Sequence, residues 1–98
     1  MYVVALRMDL HLPQATSLKA KRAVVKHLVE TTRRRHGVTA AEVGCHDQWQ
    51  RAILGFAAVA GTPGHAEELV ARAERFVWSH PEVEVLSASR QWLDVDDD

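Results

Sequence analysis

An alternating segment, a segment of helical period, an alternating segment followed by a near-continuous apolar one, a second segment of helical period and a last strand-like segment succeed one another along this chain, and nothing else in the sequence constrains the fold as tightly. From Tyr2 to Leu12, Val4, Leu6, Met8, Leu10 and Leu12 fall on one side and Ala5, Arg7, Asp9 and His11 on the other, which predicts a half-buried strand stopped by Pro13. Ser17 is the N-cap expected for a helix reaching about Arg35, and Gly37 supplies the left-handed residue after it. Leu18, Val24, Val25, Leu28 and Thr32 form that helix's inner stripe, with Val29 at its margin. Val38 to His46 reads as a second strand, with Ala41, Val43 and Cys45 on one face and Glu42 and Gly44 on the other. A polar turn over Asp47 to Gln50 leads into Ala52 to Ala60, whose near-continuous apolar character predicts a central strand buried on both faces.

Thr62-Pro63 opens a second helix, with proline where a missing N–H costs nothing. Ala66, Leu69, Val70, Ala73, Phe76 and Val77 form its inner stripe. Glu67, Glu68, Arg72, Glu74 and Arg75 lie opposite, with Glu68 placed to pair with Arg72. Pro81 ends the helix, Val83 to Leu93 is a fourth strand, and Asp94 to Asp98 is an acidic tail expected to fray. The expected organisation is one domain over residues 1–93 and a tail over 94–98. Its order, β-α-β-β-α-β, is that of an α+β ferredoxin-like fold, a four-stranded antiparallel sheet with two helices on one face.

Ninety-eight residues support one core. The longest uncharged apolar run, Ala52 to Gly61, is about half a membrane span. Arg7 and Asp9 break the first apolar stretch before a signal-peptide core could form, and the single cysteine, Cys45, allows no intrachain disulfide. The expectation is therefore a cytoplasmic protein without a membrane partner. Residues 1–60 carry nine Lys/Arg against four acids, whereas residues 61–98 carry three against nine. A split of this kind predicts one basic and one acidic surface on a molecule of net charge -1.

Catalytic and metal chemistry find little support in the pattern. The six histidines are dispersed, and Cys45, His46 and Asp47 are adjacent on a strand, so they point to alternating faces and do not converge on one ion. Cys45 is expected to pack as a small apolar residue. No nucleophile elbow, phosphate loop or dinucleotide fingerprint is present, and Gly61-Thr62-Pro63-Gly64 reads more simply as a strand-to-helix turn than as an anion site. The reading is a binding protein rather than an enzyme, with no cofactor and no metal. A small-molecule sensor, the weakest alternative, would require a pocket.

Nucleic acid is the class that survives, though not through the sheet. Leu54-Gly55-Phe56-Ala57-Ala58-Val59 partly matches the RNA-recognition strand motif, but turning its aromatic outward would drive Arg7, Asp9 and His11 into the core at several kcal/mol each. On the first helix, by contrast, Lys19, Arg22, Lys26 and Arg33 fall within a strip about 60° wide and roughly 21 Å long, away from the apolar stripe. Such a row can follow several phosphates of ribosomal or other structured RNA; the bland alternative is a solvated helix face. For Arg33, Arg34 and Arg35 a second bland reading applies, since cations in a last turn favour the helix dipole. The uncovered sheet face, where Ala5, Arg7, Asp9 and His11 neighbour Ile53, Gly55, Ala57 and Val59, is the second candidate, a homodimer or protein-docking surface. Its candidate interface residues are Arg7, Asp9, Trp49, Arg51 and Ile53, with Trp92 a further possible anchor and Trp78 expected at the core edge.

Ser17-Leu18-Lys19-Ala20-Lys21-Arg22, Glu42-Val43-Gly44 and Asp47-Gln48-Trp49-Gln50-Arg51-Ala52-Ile53-Leu54-Gly55 together resemble the YlxP-like family, domain of unknown function 503. The resemblance runs from Tyr2 through Ala88 and implies a ferredoxin-like bacterial cytosolic protein with no catalytic residues to carry over. It also implies an association with translation, because family members are often encoded beside initiation factor two and ribosome-binding factor A. The family's basic helix-start motif matches at Ser17, Leu18, Lys19, Lys21 and Arg22, and its hairpin motif at Asp47, Trp49, Gln50 and Arg51. Ala20 stands where relatives often carry an acid, which makes this helix start more basic, whereas the acidic tail departs the other way.

Overall fold

The structure is a computed structural model and describes residues 1–95. Its elements follow the expected order: β1 (Tyr2–His11), α1 (Leu18–His36), β2 (Thr39–Gly44), β3 (Arg51–Ala60), α2 (Pro63–Ser79) and β4 (Glu84–Asp94). The four strands form one antiparallel sheet in the order β2-β3-β1-β4. Of the expected tail, Asp94 closes β4, pairing with Tyr2, and residues 96–98 lie outside the described residues.

Local chemistry sets the helix limits. The Ser17 hydroxyl accepts from the Ala20 N–H at 3.0 Å, Thr62 accepts from the His65 N–H at 3.2 Å, and Gly37 closes α1 at φ 67°. Both helices lie on the same face of the sheet, α1 over β2 and α2 over β3 and β1. Between the layers sit Val4, Leu6, Met8 and Leu10 of β1, Leu54 and Phe56 of β3, Leu28 of α1, and Val70 and Val77 of α2, each at most 2% exposed. Burying side chains of this size contributes about 1.5–3 kcal/mol apiece before entropy is set against it.

Two expectations about the strands are corrected. Strand β3 is central, but its burial alternates: Ala52, Leu54, Phe56 and Ala58 are buried while Ile53, Gly55 and Ala57 are half-buried and Val59 is 60% exposed. Among the described residues no second layer covers the outer face, and small residues there imitate a doubly buried run. Strand β2 is shorter than expected and carries a bulge, since Glu42 pairs with Leu54 and Gly44 with Ile53, leaving Val43 as the extra residue. The bulge moves Gly44 onto the face of Ile53, where a Cβ would lie 2.9 Å from the Ile53 side chain, and Val43 leans over Gly55. Cys45 then leaves the strand at φ 60° and sits half-buried in the connection, so it is a turn residue rather than a strand packing residue.

Candidate nucleic-acid interface

Helix α1 is unbroken from Leu18 to His36, so Lys19, Arg22, Lys26 and Arg33 keep the common azimuth that their spacing implies. All four are exposed. Among the described residues none of the four takes part in an ion pair or a side-chain hydrogen bond, and the acid of α1, Glu30, pairs with none of them. Arg34 is held differently, its Nε donating to the Glu30 carbonyl at 3.4 Å.

Lys21, by contrast, is withdrawn from the basic surface. It is 0% exposed, and its Nζ donates to Glu42 Oε2 at 2.8 Å, to the Cys45 carbonyl at 2.9 Å, to the His46 carbonyl at 3.0 Å and, more weakly, to the Arg51 carbonyl at 3.4 Å. One ammonium therefore fastens α1 to the β2–β3 connection and satisfies carbonyls that the bulge and the left-handed Cys45 leave without a strand partner. The helical wheel contains the signal: Lys21 falls about 20–40° from Leu28 and Val25, inside the apolar stripe, where a lysine survives only with partners. Gln50 adds a second tie, its amide donating to the Pro13 and Ala15 carbonyls at 3.2 and 3.3 Å.

The uncovered sheet face brings Arg7, Asp9 and Ile53 together. Arg7 Nε pairs with Asp9 Oδ1 at 3.2 Å, and Asp9 stands opposite Ile53 across the β1–β3 ladder. Arg51 stands opposite His11 at the strand ends, and Trp49 is exposed in the connection just before it. Further along the same face a shallow depression of about 540 Å³ is floored by Ala5, Ala41, Gly55 and Ala57 and rimmed by Val43 and Gln91.

In the second half Glu67, Glu68, Glu74 and Glu84 are engaged with neighbouring basic side chains. Arg90 of β4 bridges Glu67 and Glu74 of α2, with Nε 2.8 Å from Glu67 Oε1, a pairing distance out of line for a hydrogen bond. The other carboxylate oxygens accept from indoles, Glu67 from Trp92 at 3.1 Å and Glu74 from Trp78 at 2.9 Å. Trp78 is 56% exposed, so it is not the core-edge residue expected; its ring lies on the surface with its N–H tied down. Glu68 and Arg72 form the anticipated pair at 3.1 Å. The charge split thus becomes spatial, with α1 basic over β2 and the α2–β4 side acidic but internally paired.

His36 stands at the end of α1, half-buried against α2. Partial burial lowers its pKa below 6.5, and Arg35, Arg72 and Arg75 depress it further. Its ring lies 5.9 Å from that of Phe76, which also neighbours His27 at 6.0 Å. Among the described residues no three His, Cys, Asp or Glu side chains gather as metal ligands, and no helix is long and apolar enough to cross a membrane.

Comparison with known proteins agrees with the resemblance in the helix-start and hairpin segments. A family model described as "Protein of unknown function (DUF503)" matches residues 3–90. The chain is 36% identical over 79 residues to the "Uncharacterized protein YlxP" of Bacillus subtilis (strain 168), an alignment covering 81% of this chain and 86% of that protein. The chain belongs to the DUF503 family.

Proposed function

We propose that this DUF503 protein is a cytoplasmic, non-catalytic accessory protein that binds structured RNA, free or within the ribosome, through the outer face of α1. The observation that carries the reading is a row of four exposed cations, Lys19, Arg22, Lys26 and Arg33, with no carboxylate spent on them among the described residues. Arg7, Lys21, Arg72 and Arg90 are paired with acids, whereas the row remains available, as do Arg34, Arg35, Arg51 and Arg75, which enter no ion pair among the described residues. A straight line of cations about 21 Å long meets a regular phosphate backbone without needing to read bases. Co-sedimentation of the tagged protein with ribosomal particles in low salt is the direct trial. Recovery in the particle fractions, lost when the four cations become glutamine, supports the reading; recovery only in the free fraction refutes it.

A second reading, homodimerisation through the uncovered sheet face, is favoured by the shallow apolar depression at Ala5, Ala41, Gly55 and Ala57 and by exposed Val43, Val59 and Leu93 around it. Its measure is size: a concentration-dependent dimer abolished by Ile53→Glu supports it, and a monomer at all concentrations rules it out.

A further inference from the structure

The RNA reading leaves one group of cations unused. Arg35 and His36 at the end of α1 and Arg72, Arg75, Phe76 and Ser79 of α2 line one shallow, open depression of about 380 Å³. Residues 72, 75, 76 and 79 repeat at i, i+3, i+4 and i+7, so they form one stripe of α2 aimed at the end of α1. The lining carries three guanidiniums and one imidazole, with no carboxylate among the described residues that form it. Glu68 engages Arg72 at 3.1 Å, with both partners half exposed.

Arg35 alone would be ordinary, because a cation in a last turn favours the helix dipole. That account does not reach Arg72 and Arg75, which lie in the interior of α2, away from either terminus. Their convergence on Arg35 is a repulsive arrangement that a bound anion would relieve. We propose that this depression is an anion site that takes a phosphate group, clamped by Arg35, Arg72 and Arg75 over the ring of Phe76. Arginine suits the task because its planar fork meets phosphate oxygens two at a time. The depression is shallow and open, which suits a phosphate group held by side chains at the surface rather than an enclosed organic ligand. The depressed pKa of His36 agrees with this geometry, since the same three arginines are the charges that lower it.

The site is independent of the basic row. Arg35 projects about 170° around α1 from the middle of Lys19, Arg22, Lys26 and Arg33. The phosphate could belong to a small phosphorylated molecule or to an RNA backbone, and the two are separable in solution. The ring resonances of His36 are followed by NMR while inorganic phosphate, adenosine monophosphate or a 5′-hydroxyl RNA decamer is added at fixed ionic strength. Inorganic phosphate is expected to raise the His36 pKa saturably, where an equal ionic strength of chloride does not. Arg35→Gln with Arg75→Gln should weaken the phosphate effect at least about tenfold, the loss expected for charged hydrogen bonds. Glu68→Gln, which frees Arg72 and removes no packing group, should tighten it severalfold. Stronger action by the monophosphate assigns the site to small molecules, and stronger action by the decamer assigns it to RNA. A His36 response that is the same in phosphate and chloride, or unchanged in the double variant, overturns the proposal. Substituting the four cations of the row should leave the phosphate response intact, so failure of either idea is distinct from failure of the other.

Discussion

Replacing Lys21 by methionine keeps much of the side chain's length and removes its charge, which leaves Glu42 and the carbonyls of Cys45 and His46 facing a thioether. Breaking a buried pair from one side costs about 3–5 kcal/mol, whereas replacing both partners by apolar groups is often close to neutral. Guanidinium denaturation should therefore show Lys21→Met strongly destabilised and Lys21→Met with Glu42→Leu recovering part of the loss. His36 gives a second outcome at this scale. Its pKa is lowered in the folded chain, so the unfolded chain binds the proton first as pH falls. The associated stability is complete above pH 6.5 and is lost as pH drops from there through the folded value. His36→Gln should flatten the decline of melting temperature below pH 6.5, and an unaltered slope would contradict the assignment. Neither residue's role was evident from charge pattern alone. Lys21 reads as one more surface cation until its azimuth is compared with Val25 and Leu28, and the surroundings of His36 depend on how two helices meet.

At the scale of elements, periodicity carries most of the information and pairing geometry the rest. The caps of both helices and their inner stripes follow from Ser17, Gly37, Thr62 and the apolar spacing, because each depends on neighbours within a turn or two. The bulge at Val43 does not, since an extra residue in one strand is defined only against its partner, and it carries Gly44 to the face opposite the one expected. Outward-facing Gly55 and Ala57 made β3 read as buried on both sides, because small residues look apolar wherever they lie. Gly37 provides the element-level prediction. At φ 67° an alanine is strained, with ordinary space around its Cβ and Leu69 at 3.6 Å, so the cost comes from the backbone alone. Gly37→Ala should lower stability by about 1 kcal/mol by chemical denaturation with little change in the denaturant slope.

Across the whole molecule, the sheet order β2-β3-β1-β4 turns a split in the sequence into a split in space. α1 packs over the edge strand β2 and α2 over β3 and β1 with a smaller contact to β4, so the cations of α1 and the acids of α2 lie on neighbouring helices rather than mixed along one. The acids Glu67, Glu74 and Glu68 are taken up by Arg90 and Arg72, while Lys19, Arg22, Lys26 and Arg33 remain open to solvent. The four cations were legible in the sequence because their exposure depends only on azimuth about one helix. The phosphate site was not, because Arg35 is separated from Arg72 and Arg75 by more than thirty residues and meets them only once the helices are docked. The most direct measurement is the affinity for a structured ribosomal RNA fragment between about 50 and 200 mM salt, compared with a variant in which the four cations are glutamine. The account predicts a log–log slope of about -3 to -4 that collapses towards zero in the variant. An affinity indifferent to salt, or equal in the two proteins, would contradict it.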